Sequence, residues 1–137
     1  MAVLQRQARE IDIELDKGSS LEFFVQLLNG RLPIGYSEND LTALDKVDLS
    51  VFSEVECTIR PYMCNDDPQL PDIILSKSNG DIIVDDPLTG TFRIKIPSSM
   101  SADWGFKNAK YNTTLTYVNG DKMIATYGVL SVHDVML

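Results

Sequence analysis

The side chains able to carry chemistry in this 137-residue sequence are few and scattered. One histidine, His133, stands beside Asp134 near the C-terminus. Nucleophilic or general-base catalysis would need it to meet a serine or cysteine, and no motif marks one. It reads as a surface or interface residue. The two cysteines, Cys57 and Cys64, are too few for a disulfide framework and lack the spacing of a metal-binding pair. Cys57 alternates with Val55 and Ile59 and reads as a small core residue, whereas Cys64 falls in a loop. Carboxylates gather at Asn65-Asp66-Asp67 and at Asp81, Asp85 and Asp86. Oxygen-rich loops of that kind suit calcium. Neither cluster has the Asp-x-Asp/Asn-x-Asp/Asn-Gly spacing, so turn formation is the reading we adopt. The glycosylation sequon Asn112-Thr113-Thr114 lies inside a predicted strand. With no glycine-rich phosphate loop and no zinc spacing, the sequence predicts neither catalysis nor a metal or other cofactor.

Charge narrows the partners. Twelve Lys and Arg against 20 Asp and Glu leave a formal net charge of −8, which disfavours nucleic acid and anionic membrane surfaces. No apolar run is long enough to span a bilayer as a helix, and the first ten residues lack the apolar stretch of a secretory signal. The expected compartment is a cytoplasm.

Two groups of residues are candidates for contact with a partner. Val3, Leu4 and Arg6 belong to a polar leader, residues 1–9, that precedes the first predicted strand and is too short to form its own core. Docking on a neighbouring protein is one role for such an arm. Trp104 and Phe106 sit in a predicted connection and, with Tyr36, would form either an exposed stacking platform and partner anchor or a cover for an open end of the domain.

The elements that position these residues announce themselves as β structure. Asn-Gly occurs three times, at 29–30, 79–80 and 119–120, and the pair suits type I′ hairpins, which need positive φ at both central positions. Alternation marks strands over 10–16, with Ile11, Ile13 and Leu15 on one face, and over 20–28, which we expect to be central because Phe24 and Leu28 add a second apolar face. Further strands are expected over 54–60, on both arms of the Asn79-Gly80 turn, over 91–96, and on both arms of the Asn119-Gly120 turn. Gly128 suggests a bulge in the last of these. An irregular stretch over 31–53 carries a helix-start signal at Ser37-Glu38-Asn39-Asp40. The fold expected from these runs is an all-β, antiparallel sandwich of seven or eight strands, with 10–137 as a single domain. Phe23, Val25, Ile59, Phe92, Ile94 and Leu115 are its expected core.

The layout of these runs carries a resemblance. Gly18-Ser19-Ser20-Leu21, Asp48-Leu49-Ser50, the strand ending Ile59-Arg60, Ser78-Asn79-Gly80-Asp81-Ile82, Gly90-Thr91-Phe92-Arg93-Ile94, Tyr111–Leu115 with Asn119-Gly120-Asp121, and Gly128-Val129-Leu130-Ser131-Val132 together cover most of the chain. They resemble the small immunoglobulin-like β-sandwich proteins of tailed bacteriophages, similar to the N-terminal domains of baseplate upper proteins. The stretch Leu32–Lys46 is longer than that pattern and reads as an insertion. What the resemblance implies is a non-enzymatic virion structural protein, assembled in the host cytoplasm and repeated around a symmetric ring. It would act as a tail, baseplate or fibre-attachment adaptor to other virion proteins, without nucleic acid or membrane. A head-associated position (decoration, collar or head fibre) and a carbohydrate-binding module using Tyr36, Trp104 and Phe106 are the alternatives.

Overall fold

The computed structural model describes residues 9–27, 47–62 and 71–133. Two sheets enclose the apolar faces of the alternating runs. The larger holds β1 (Arg9–Glu10), β2 (Ile13–Asp16), β4 (Phe52–Tyr62), β5 (Ile73–Ser76), β8 (Asn108–Tyr117) and β9 (Lys122–His133), with β1 and β2 lying in succession along β9 and the order then running β9-β8-β4-β5. The smaller has β3 (Leu21–Gln26), β7 (Thr91–Ile96) and β6 (Ile82–Ile83) in the order β3-β7-β6. An immunoglobulin-type sandwich places its strands G, F, C and C′ in one sheet and B, E and D in the other. Reading β3 through β9 as B, C, C′, D, E, F and G reproduces both sheets. The protein is therefore an all-β, immunoglobulin-like sandwich, mostly antiparallel.

Its core is built from the inward-facing parity of each strand. Val25, Ile59, Phe92, Ile94 and Leu115 are buried as expected, and Phe23 is half-buried, its ring meeting Tyr111 of the opposite sheet edge-on at 6.3 Å. Val47, Leu49 and Phe52 are also core. The end of the stretch expected to be irregular, 31–53, thus packs inside: Val47 N–H donates to Leu27 O at 3.1 Å, beside Gly90, whose positive φ of 69° and lack of a side chain permit the close approach. The Asn29-Gly30 turn, the helix-start signal at Ser37 and residues 31–46 lie outside the described residues.

The first strand departs from the antiparallel expectation. β1 and β2 both run parallel to β9, pairing Arg9 with Thr126 and Ile13 with Leu130. Arg9, placed in the leader by the sequence, is already part of the sheet. The register is the same on either side of the break at Ile11-Asp12, where Ile11 N–H still donates to Tyr127 O (2.8 Å) but Val129 N–H donates to the Asp12 carboxylate (3.0 Å). The Ile11 carbonyl instead accepts from the Tyr111 hydroxyl. Gly128, directly opposite Tyr111 in the ladder, makes this possible, since a Cβ there would stand 2.2 Å from Ile11 O. Gly128 is thus a site of close approach, not a bulge.

The bulge of β9 lies at Ala125, where the register against β8 shifts between Thr113 and Thr114. Two consecutive residues, Ala125 and Thr126, are buried there. Thr126 N–H donates to Thr113 Oγ1 at 3.0 Å, and the two buried hydroxyls meet at 2.7 Å, so the displaced backbone donor is satisfied in the core.

Three further expectations are corrected. The Asn79-Gly80 turn is tight, with Asp81 N–H donating to Ser76 O at 3.0 Å, but its arms separate: β5 pairs with β4 and β6 with β7. The turn carries the chain from one sheet to the other instead of closing a hairpin. Neither described Asn-Gly turn is type I′, because only the glycines, Gly80 and Gly120, have positive φ. Asn119 contributes differently, its side chain accepting from Asp121 N–H at 2.9 Å. Finally, β3 is an edge strand among the described residues, and Phe24 is 64% exposed where a covered second face was expected.

Two substitutions test this architecture. Phe92→Ala, at a fully buried position of the central strand of the smaller sheet, should cost about 3–5 kcal/mol in denaturant unfolding. Gly128→Val must push β2 away from β9, so it should cost roughly 1–3 kcal/mol and accelerate amide exchange in β1 and β2 before the rest of the sandwich. Uniform exchange rates in that variant would contradict the close approach described.

Candidate functional site

Catalytic groups do not converge anywhere among the described residues. His133 is exposed, with Nε2 at 3.7 Å from Glu14 Oε1. Cys57 is sealed in the core, where burial pushes its thiol up to about 12, far from the thiolate a nucleophile needs. The carboxylates that might have served calcium have structural partners. Asp81 accepts from Ser76 N–H (3.3 Å), Asp85 from Arg93 Nη2 (3.0 Å), and Asp86 from Leu88 N–H (3.0 Å) as the cap of a short 3₁₀ turn. No group of three or more metal-ligating side chains occurs among the described residues; Asp66 and Asp67 lie outside them.

Of the residues singled out from sequence as an interface, Trp104 and Phe106 are among those described. Val3, Leu4, Arg6 and Tyr36 lie outside the described residues. Trp104 and Phe106 are core, 6% and 4% exposed, and stack on one another with centroids 5.1 Å apart. Both follow α1 (Ser98–Ser101), a single helical turn whose Ser101 hydroxyl donates to Ser19 O at 2.9 Å and accepts from Gly18 N–H at 3.1 Å. The connection is thereby bound to the β2–β3 turn, and its aromatics close that end of the sandwich. A stacking platform for sugars is excluded for this pair.

The surface that can bind lies elsewhere, on the outward face of the larger sheet. The ladder registers align Ile74, Thr58, Asn112, Tyr127 and Glu10 in one row across five strands, with Glu56, Thr114 and Ile124 in the row beside it. Ile74, Ile124 and Tyr127 are exposed large apolar side chains. Ile124 and Tyr127 border a shallow concavity of about 480 Å³, lined also by Glu10, Thr58, Arg60, Lys110 and Asn112. At its rim Arg60 holds Asp72 through two hydrogen bonds, Nε to Oδ1 (3.1 Å) and Nη2 to Oδ2 (3.0 Å). That contact lowers the Asp72 carboxyl below its ordinary range and raises Arg60. Aromatic and aliphatic anchors set among amide and hydroxyl groups, with a charged rim, are the make-up of a protein-contact surface.

Sequence reasoning missed this face for identifiable reasons. Tyr127 shares parity with Met123 and Ala125, and only the bulge at Ala125 turns it outward. The run Ile73-Ile74-Leu75 did contain a signal, since three consecutive apolar residues in a short strand must leave one of them facing away from the core.

No protein-family model matches the chain, and no curated protein matches it. Among solved structures, extracellular domains 3–5 of Drosophila OTK are similar over 98% of this chain and 35% of that one, at 15% identity and a TM-score of 0.33. The chain thus spans about a third of that structure. Likeness of this degree carries nothing on function, and the immunoglobulin-like assignment rests on strand order alone.

Tyr111 offers a test of how the site's sheet is held. Burial pushes its phenol up to about 12, against about 10 in an unfolded chain. Stability should therefore hold up to about pH 10 and fall as pH rises towards 12, because the unfolded phenol ionises first. Tyr111→Phe leaves the Ile11 carbonyl without its donor, so the variant should be less stable at pH 7 by roughly 1–3 kcal/mol and lose less between pH 10 and 12. Equal alkaline slopes in urea titrations of the two proteins would refute the assignment.

Proposed function

We propose that the chain is a non-enzymatic virion structural protein of a tailed bacteriophage, an adaptor at the tail, baseplate or fibre attachment that docks neighbouring virion proteins on the outward face of its larger sheet. The observation that carries this reading is that face itself: Ile124 and Tyr127 exposed at a shallow concavity and Ile74 exposed in the same cross-strand row as Tyr127, on a sheet whose strands are registered over most of their length. A preformed sheet presents such anchors without a backbone ordering cost on binding. The reading is supported further by the net charge of −8, which suits protein partners better than nucleic acid, and by the resemblance in layout to the phage sandwich proteins.

Mass spectrometry of purified virions of the encoding phage should find the chain in fixed, multiple copies. Its absence from particles while it is abundant in infected cells would overturn the virion reading. Tyr127→Lys should leave the melting temperature within a few degrees of wild type, since the side chain is exposed. It should cut incorporation by tenfold or more, the equivalent of losing roughly 1.5–3 kcal/mol of aromatic burial. Normal incorporation of that variant would place the docking surface elsewhere.

A further inference from the structure

The smaller sheet ends in an edge that natural sandwiches usually blunt. β3 pairs only with β7, and among the described residues nothing pairs with its other side. The direction of its backbone groups follows from one bond: Leu27 N–H donates to Gly90 O, in line with the Val25–Phe92, Phe23–Ile94 and Leu21–Ile96 pairs. Groups alternate along an antiparallel ladder, so the N–H and C=O of Glu22, Phe24 and Gln26 point to the open side. Lys95 N–H, bonded to Asp81 O of the β6 side, confirms the alternation on β7. The strand contains no proline or bulge, and its one charged side chain, Glu22, is paired with Arg93 of its own sheet, so the devices that keep edges from pairing are weak here.

The outward side chains of the same three residues are exposed, with Phe24 at 64%. They form a palindrome in polarity, with an aromatic flanked on either side by a long polar residue. Antiparallel pairing of β3 with another β3 about Phe24 sets every open backbone group against a partner. Phe24 then faces Phe24 of the partner subunit, an aromatic cross-strand pair of the kind that stabilises sheets. Glu22 faces Gln26 of the partner subunit, an amide, so no two carboxylates stand opposite one another despite the net charge of −8. Glu22 is further neutralised by Arg93, whose Nη1 lies 3.2 Å from Glu22 Oε1. On the inner face the same register covers the half-buried Leu21 and Phe23.

We propose that two copies of this chain join edge to edge along β3, antiparallel across a two-fold axis at Phe24, fusing their smaller sheets into one. The pairing is isologous, each copy using the same strand. It is independent of the outward face of the larger sheet and of any virion role.

Sedimentation of the purified full chain should show a dimer, and Phe24→Lys should convert it to a monomer with an unchanged far-ultraviolet circular dichroism spectrum, since the side chain lies outside the core. Val118→Lys, at an exposed site away from β3, should remain dimeric. In a Cys64→Ser background, Phe24→Cys should form an intermolecular disulfide under mild oxidation, because directly opposed residues in a hydrogen-bonded pair have Cα atoms about 5.5 Å apart. Glu22→Cys should not, since residue 22 faces residue 26 of the other copy and the two residues 22 lie four positions apart along the paired strands. A wild-type protein that stays monomeric at several hundred micromolar overturns the proposal. So does a Phe24→Lys variant that still dimerises, or equal cross-linking at positions 22 and 24.

Discussion

The sandwich depends on how its first strand is lodged against its last. A parallel neighbour on β9 demands that β1 and β2 approach closely, and the approach is made by three residues acting together. Gly128 removes the side chain that would stand in the way, Tyr111 fills the space above it and satisfies the Ile11 carbonyl, and Asp12 supplies the acceptor that Val129 N–H would otherwise lack. Each half of the device is costly without the other. A glycine in a strand weakens it unless something packs on it, and a buried carbonyl turned out of its ladder is destabilising unless a donor meets it. The core runs without a break from Leu15 and Leu130 at this edge to Leu115 and Phe92.

Much of that architecture was legible before any coordinates. Period-two alternation identified the strands 54–60, 91–96 and 109–118 and assigned their inner faces correctly, because one face of each is buried and the other is not. Pairing partners were less legible. The Asn79-Gly80 turn has every local mark of a hairpin, yet a local turn specifies only a reversal, and Ile73–Ser76 and Ile82–Ile83 find their partners in different sheets through contacts remote in sequence. Gly128 shows a similar limit. A glycine within a strand signals either a bulge or a close approach, and only the position of residue 11 decides between them. Trp104 and Phe106 were ambiguous in the same way, since their burial depends on Ser101 binding the β2–β3 turn some 80 residues earlier.

The outward surfaces were least legible because burial, the signal that sequence patterns report, is absent there. The two exposed faces also differ in kind. The larger sheet presents Ile74, Ile124 and Tyr127 among amides and hydroxyls, suited to another protein laid flat upon it. The smaller sheet presents a charged lattice in which Arg93 binds both Glu22 and Asp85, and what distinguishes it is the open backbone at its rim. One face offers side chains and the other offers main chain, so the two do not compete for the same partner.

The pairing of Ile13–Asp16 with Leu130–His133 joins segments 117 residues apart. During synthesis β2 emerges long before the strand it pairs with exists, and folding proceeds roughly from the N-terminus onward as the chain leaves the ribosome. Loop-closure entropy must be overcome before such widely separated contacts form, which makes pairings of this span slow. A chain cut short before Leu130 would lack the strand that β2 pairs with, so this edge can close only once the last strand has been made.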